Sequence, residues 1–167
     1  MVSADKLFTF GQNAVLSTFL YASLKELDHG RCDALFADAE AAAEQAQWAR
    51  CQALTQDFRG AVLRHFAIEE EVIFPAFEAR SGMRGGPTQV MRSEHAQMRT
   101  LLDALDAASQ ANDNAAFADA AETLLLLMQQ HNMKEENILY PMCDQALGDD
   151  PDVAASVDAL AEGAANA

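Results

Sequence analysis

The most informative helical segment in the chain is residues 122–142, which read ETLLLLMQQHNMKEENILYPM. This stretch is rich in Leu, Met, Glu and Gln and has almost no β-branched alternation, so it favours an α-helix over a strand. Helical spacing places one histidine and one glutamate on an otherwise apolar face formed by Leu124, Met128, His131, Glu135, Ile138 and Met142. The pattern predicts a helix that packs this face against other helices.

Similar helix-forming segments fill most of the chain on either side of this stretch. The residues that interrupt them fall in three groups, at 82–87, 112–114 and 148–151. We predict an all-α fold with helices at about 22–46, 49–80, 87–110 and 115–147. Short connections between four long helices favour an antiparallel up-down-up-down four-helix bundle. We expect a single domain over residues 1–167 with a core of about 22–147, an N-terminal arm and a short C-terminal extension that begins at Pro151.

The charge balance excludes several classes of partner. Eleven Lys and Arg against 26 Asp and Glu give a formal net charge of −15. Such a field repels phosphates, so we expect no nucleic acid and no anionic membrane as partner. The longest apolar run, Leu124–Met128, is far shorter than the roughly 18–20 residues that cross a bilayer. The three cysteines are widely separated and form no CxxC motif, which is typical of reduced thiols and predicts a cytoplasmic location.

The sequence contains an internal repeat: residues of its first half match residues of its second half that lie 66 positions further along the chain. Under that shift the coinciding pairs include His29 with His95, His65 with His131, Glu69 with Glu135, Glu70 with Glu136, and Pro75 with Pro141, and Phe74 meets Tyr140. We interpret the chain as two copies of a helical hairpin related by an approximate two-fold axis. Each proline lies inside a predicted helix and should kink or loosen its last turns.

Histidines and glutamates of this repeat indicate a metal site. The i, i+4 spacing puts His65 and Glu69 on one helix face, and it does the same for His131 and Glu135. A carboxylate in an apolar stripe is strongly disfavoured unless a cation pairs with it, and Lys and Arg are scarce in both stripes. Imidazole and carboxylate ligands suit iron, manganese or zinc. The candidate metal ligands are His29, His65, Glu69, His95, His131 and Glu135.

These six ligands are more than one tetrahedral ion needs, so we expect two metal ions. If both glutamates bridge and an oxo or hydroxo group is shared, two six-coordinate ions still have open positions. Open positions indicate reactivity toward a small ligand rather than a purely structural role.

The combined motifs resemble the hemerythrin-like, or HHE cation-binding, domain family. The residues that carry the resemblance are Asp28-His29, His65-Phe-Ala-Ile-Glu69-Glu70, Glu94-His95 and His131-Asn-Met-Lys-Glu135-Glu136, with Ile138-Leu-Tyr-Pro141 after them. The resemblance implies a four-helix bundle with a non-haem di-iron site. It also implies that the four histidines are terminal ligands and that Glu69 and Glu135 are bridging carboxylates. The order His-x-x-x-Glu differs from the Glu-x-x-His of ferritin-like sites.

One position departs from the pattern of oxygen-carrying members of this family. These are expected to have a second histidine one turn after the third-helix ligand, where this sequence has Arg99, a poor ligand because it stays protonated. Asp33 corresponds to Arg99 under the repeat. The two are either unrelated charges at the boundary of the core, or they form a salt bridge, or they are a pair that gates the open metal position. The ligand set is more similar to di-iron proteins that repair damaged iron centres and to other bacterial HHE domains.

Two further glutamates, Glu70 and Glu136, follow the candidate bridging residues directly. They lie about 100° around each helix from the inner glutamates. We expect them to be solvated or to contact a ligand rather than to bind metal.

The function expected from the resemblance involves two iron ions bridged by an oxo or hydroxo group. These ions would bind or react with oxygen, nitric oxide or peroxide, in iron handling or a stress response, and manganese or zinc could replace iron. Two alternatives stay open: a reversible carrier or sensor of a small gas without turnover, and a structural or mononuclear metal-binding bundle. Whether the protein is an enzyme is also open, and both a monomer and a homodimer are compatible with the sequence.

Overall fold

A computed structural model describes residues 20–148 and 150–163 of the chain. Every regular element in this part is helical, which confirms the all-α class. The helices are α1 (Leu20–Glu44), α2 (Trp48–Ile68), α3 (Phe74–Ser81), α4 (Pro87–Ala111), α5 (Asn114–Lys134), α6 (Tyr140–Leu147) and α7 (Pro151–Gly163). Two π-helical segments join α2 to α3 and α5 to α6; they span Glu69–Ile73 and Glu135–Leu139.

The helix positions agree with the sequence prediction to within about two residues at each end. The second and fourth predicted helices are the continuous runs from α2 to α3 and from α5 to α6. The predicted C-terminal extension is α7, which begins at Pro151. The predicted N-terminal arm lies outside the described residues.

Each proline inside a long helix follows a π-helical turn. The N–H of Phe74 bonds the carbonyl of Glu69, and the N–H of Tyr140 bonds that of Glu135, so both bonds span five residues instead of four. The α-helix then restarts with the proline in its first turn, where a missing N–H costs little. The loosening predicted at Pro75 and Pro141 therefore takes the form of a widened turn directly after the candidate glutamate ligand.

The connections between the long helices have well-defined ends. Gly82, with φ of 75°, ends α3 in the left-handed region that glycine tolerates best, and Pro87 starts α4. Asn112 ends α4 in the same left-handed conformation. The Asp113 carboxylate then accepts the N–H groups of Ala115 and Ala116, and so caps α5. These short links allow neighbouring helices to pack side by side.

The packing pairs are α1 with α2, α4 with α5, and α2 with α4, and α1 also contacts α5. Two apolar clusters fill the interior. The first lies among α1, α2, α4 and α5 and includes Phe36, Phe58, Phe66, Leu102, Leu105 and Leu124. The second lies around the π-helical segments and α7 and includes Ile73, Phe74, Phe77, Leu139 and Val157. Within the described residues, no helix has both the length and the hydropathy to cross a bilayer.

Candidate metal centre

Four of the six candidate ligands converge in the interior, between the two apolar clusters. Glu69, His95, His131 and Glu135 each offer one ligand atom, and these atoms lie within 4.8 Å of one another. All four residues are at most 1% exposed. Glu69 comes from the first π-helical segment, His95 from α4, and the other two from α5 and the second π-helical segment. The cluster therefore joins three separate parts of the chain.

The other two candidate ligands are His65 and His29. His65 lies one turn before Glu69, and its Nε2 is 3.6 Å from Glu69 Oε2, at the edge of the cluster. Its side chain is 16% exposed, so this edge is the one nearest to solvent among the described candidates. His29 belongs to α1, but its side chain lies outside the described residues, so its assignment as a ligand stays a prediction.

Histidine nitrogens and carboxylate oxygens face one another inside the cluster. His131 Nε2 is 2.6 Å from Glu135 Oε1, and His95 Nε2 is 3.2 Å from Glu69 Oε2. The Nε2 atoms of His95 and His131 are themselves 3.2 Å apart. Two ring nitrogens at this distance need a proton or a cation between them.

The contacts of the Nδ1 atoms show which ring nitrogen of His95 and His131 would face a metal. His95 Nδ1 lies 2.7 Å from Glu70 Oε1, and His131 Nδ1 lies 3.0 Å from Glu94 Oε2. An ionised carboxylate can only accept a hydrogen bond, so Nδ1 donates in both cases. This leaves the Nε2 lone pairs directed into the cluster. In metal sites, carboxylates that accept a hydrogen bond from one ring nitrogen of a histidine commonly orient the other nitrogen toward the metal in this way.

Each of these outer carboxylates is in turn held by a basic residue. Both terminal nitrogens of Arg99 donate to Glu70, at 2.9 Å each, and Lys134 forms an ion pair with Glu94. Glu70 thus contacts a candidate ligand, one of the two outcomes expected from the sequence. A salt bridge between Arg99 and Asp33 was one of the alternatives left open by the sequence, but the terminal nitrogens of Arg99 both bond Glu70 instead.

Aromatic rings fix the orientation of the His95 imidazole. It stacks on Phe66 with 3.9 Å between ring centroids and an angle of 14°, and it is nearly parallel to Phe74 at 5.9 Å. Arg99 lies over the Phe66 ring and Arg92 over the Phe74 ring. The stacking restricts rotation of the imidazole and surrounds it with apolar surface.

The His131–Glu135 pair is ionised when no metal is bound. Burial by itself would lower the pKa of His131, but the charge of Glu135 and hydrogen bonds to Glu135 and Glu94 outweigh it and raise the pKa from 6.5 to about 10. Burial would raise the pKa of Glu135, but the charge and hydrogen bond of His131 lower it from 4.5 to about 2. The imidazolium occupies the place where a metal would neutralise the carboxylate.

The donor set fits a metal ion. Glu69 Oε2 and Glu135 Oε1 are buried, and histidine Nε2 atoms face both of them. Buried carboxylate charges are costly unless a cation compensates them, and a divalent cation bound by the two oxygens and two nitrogens would do so in place of the histidine proton. Nitrogen and oxygen donors of this kind suit iron, manganese or zinc.

An all-helical fold around a buried histidine–glutamate cluster defines a metal-binding protein. The model of one family, the hemerythrin HHE cation-binding domain, matches residues 23–143. This match covers well over half of the chain, and the chain belongs to that family. No curated protein and no solved structure matches it.

Glu94, Lys134 and Tyr140 take part in the site but were not singled out as site residues from the sequence. Glu94 was noted only as the neighbour of His95. Lys134 acts on the site through Glu94, and the Tyr140 hydroxyl lies within hydrogen-bond distance of Glu69 and Glu135. The sequence does contain a signal for Tyr140. The repeat aligns it with Phe74, so the second half of the chain has a hydroxyl where the first half has an apolar ring.

Substituting Glu70 tests whether the outer carboxylates support metal binding. Glu70→Gln removes the charge that pairs with Arg99 and weakens the acceptor that orients His95. We expect the dissociation constant for a divalent metal such as Co²⁺ to rise roughly 10- to 100-fold, as measured by competition titration with a chromophoric chelator.

The matched control for Glu70→Gln is Asp103→Asn. Asp103 pairs with Arg59 at 2.6 Å, so this pair also joins α2 to α4 but contacts none of the candidate ligands. Asp103→Asn should leave the affinity unchanged. An equal loss in both variants would show that general helix pairing, and not the orientation of His95, is responsible.

Proposed function

We propose that this protein is a non-haem di-iron protein that binds or reacts with oxygen, nitric oxide or peroxide. In this proposal Glu69 and Glu135 bridge the two ions, which share an oxo or hydroxo group. The terminal ligands are His29, His65, His95 and His131. The observation that carries the proposal is the buried cluster in which one oxygen of each glutamate is turned toward histidine nitrogens. Membership in the HHE family supports it. Manganese or zinc would also suit these donors.

We further propose an antiparallel up-down-up-down bundle around this site. Its four helices are α1, the run α2–α3, α4 and the run α5–α6. The packing pairs and the short connections support this topology. We place the protein in the cytoplasm, as a monomer or homodimer, with a small diatomic molecule or peroxide as its partner rather than nucleic acid or a membrane.

The chain's own residues would control what the site can do. Bound iron would supply open coordination positions and electrons for a small molecule. Phe66 and Phe74 exclude water from the side of His95, and Glu70 and Glu94 hold the Nδ1 protons of the two buried histidines. The chain therefore offers the metal two Nε2 atoms in a fixed orientation.

The role of Arg99 favours reactivity or iron handling over oxygen carriage. Oxygen carriers of this family are expected to have a fifth histidine where this chain has Arg99. Both terminal nitrogens of Arg99 bond Glu70, and a guanidinium is a poor metal ligand. One metal ion therefore has one protein ligand fewer than in oxygen carriers of this family. We propose that the freed position is where peroxide or another small molecule reacts.

Metal analysis of the intact chain tests the proposal. Protein purified without added metal, or loaded with Fe²⁺ without oxygen, should contain about two iron ions per chain. After exposure to air it should show a near-ultraviolet charge-transfer band that responds to azide. Turnover of peroxide would support an enzyme, and reversible spectra without turnover would support a carrier or sensor. One metal ion per chain would favour the mononuclear alternative. Failure to bind iron, with unchanged thermal stability, would contradict the proposal.

A further inference from the structure

The hydroxyl of Tyr140 lies between the two candidate bridging glutamates. Tyr140 is the first residue of α6 and is 4% exposed. Its Oη is 2.9 Å from Glu69 Oε1 and 3.2 Å from Glu135 Oε2. These are not the oxygens that face the histidines. Each glutamate thus has one oxygen near a histidine Nε2 and its other oxygen near Tyr140.

The second π-helical segment brings the hydroxyl to this place. In a regular α-helix Tyr140 would lie about 140° around the axis from Glu135, five residues earlier. In the π-helical turn the N–H of Tyr140 bonds the carbonyl of Glu135, so five residues make close to one full turn. The phenol therefore lies on the same face as the carboxylate and reaches across to Glu69 on the neighbouring helix.

We propose that Tyr140 is a positioning residue of the metal site, whose hydroxyl links Glu69 to Glu135 and so presents one oxygen of each to the metal. This inference rests on the proposed function. Two buried carboxylates repel each other, and the one hydroxyl proton between them, donated to Glu69 Oε1 and shared with the more distant Glu135 Oε2, stabilises the pair. A neutral phenol has one proton to donate and carboxylate oxygens can only accept, so Tyr140 is the donor in both contacts.

The internal repeat supplies a conservative substitution for this test. The first half of the chain has Phe74 where the second half has Tyr140. Phe74 is fully buried and packs near His95. Tyr140→Phe therefore introduces a side chain that the same fold already uses at the equivalent position. It removes only the hydroxyl.

The experiment is a Co²⁺ titration of the intact chain, followed by its visible spectrum. Tyr140→Phe should weaken Co²⁺ binding about 10-fold or more. It should also change the intensity of the Co²⁺ ligand-field bands, because glutamate oxygens released from the hydroxyl can enter the coordination sphere. The control is Thr55→Val, which also removes one buried hydroxyl, but one that lies near Cys51 and contacts none of the candidate ligands, and it should behave like the wild type. Unchanged affinity and an unchanged spectrum in Tyr140→Phe would overturn the role of Tyr140.

A second measurement needs no variant at position 140. In the Tyr21→Phe chain Tyr140 is the sole tyrosine, so its near-ultraviolet absorption reports on its hydrogen bonds. Co²⁺ binding should shift this absorption as the metal draws charge from Glu69 and Glu135. Absence of a shift in a chain that binds Co²⁺ would overturn the role of Tyr140 alone. A wild-type chain that binds neither Co²⁺ nor Fe²⁺ would overturn the proposed function as well.

Discussion

Glu69→Gln is expected to weaken metal binding by more than about 100-fold, beyond the range typical for a residue that only contacts a ligand. Glu69 is completely buried, and its Oε2 lies 3.2 Å from His95 Nε2 and 3.6 Å from His65 Nε2. The amide has nearly the same shape as the carboxylate but carries no charge, so the cluster loses half of its negative charge. The dissociation constants for Fe²⁺ and Co²⁺, measured under anaerobic conditions by competition titration, would show the effect.

The matched control for Glu69→Gln is Glu71→Gln. Glu71 belongs to the same π-helical segment, two residues further along, but its side chain is exposed. The two substitutions change net charge and helix propensity in the same way. Glu71→Gln should therefore bind metal like the wild type. If both variants lose the same affinity, the loss comes from overall charge, and Glu69 is not a ligand.

The second large effect is expected in thermal stability. Metal at about 1,000 times its dissociation constant adds about 4 kcal/mol to the free energy of unfolding. In a chain of 167 residues, each kcal/mol raises the melting temperature by roughly 2–4 °C. Saturation with metal should therefore raise the melting temperature by about 8–16 °C, because the ion compensates the charges of two buried carboxylates. Scanning calorimetry with and without metal measures this shift, and a chelator should reverse it.

The same scan on Glu69→Gln separates site binding from nonspecific effects. The surface of this acidic chain can collect cations weakly, and such binding would stabilise both proteins equally. We expect little or no shift in the variant. A wild-type melting temperature that does not respond to metal would contradict the assignment of the buried cluster as a metal centre.

Most of the helical architecture follows from the sequence, because local signals set it. Glycine and proline clusters at 82–87 and a polar break at 112–114 interrupt otherwise uniform helical segments, and the helices end at these places. The π-helical segments are different. A period of 3.6 residues does not distinguish an α-turn from a widened one, so only Pro75 and Pro141 indicated that the regular pattern would be disturbed there.

The candidate site was predictable in its centre but not at its edges. The His-x-x-x-Glu spacing together with the internal repeat identified Glu69, His95, His131 and Glu135, whose ligand atoms the structure brings within 4.8 Å of one another. These positions depend on one helix face and on the repeat, which the sequence shows directly. Contacts between helices depend on how the helices pack. Sequence spacing therefore did not find the contact of Arg99 with Glu70, nor the contacts of Lys134 and Tyr140.

The two π-helical segments also bear on the ancestry of the chain. Each corresponds to one residue more than a regular helix needs, and both occur directly after a glutamate and before an aromatic–proline pair. Two independent insertions at equivalent positions would be a coincidence. A single insertion in an ancestral hairpin, followed by tandem duplication, accounts for both at once. The modern chain would then have inherited the extra residue twice, and the later divergence of one aromatic side chain would have given its halves unequal roles.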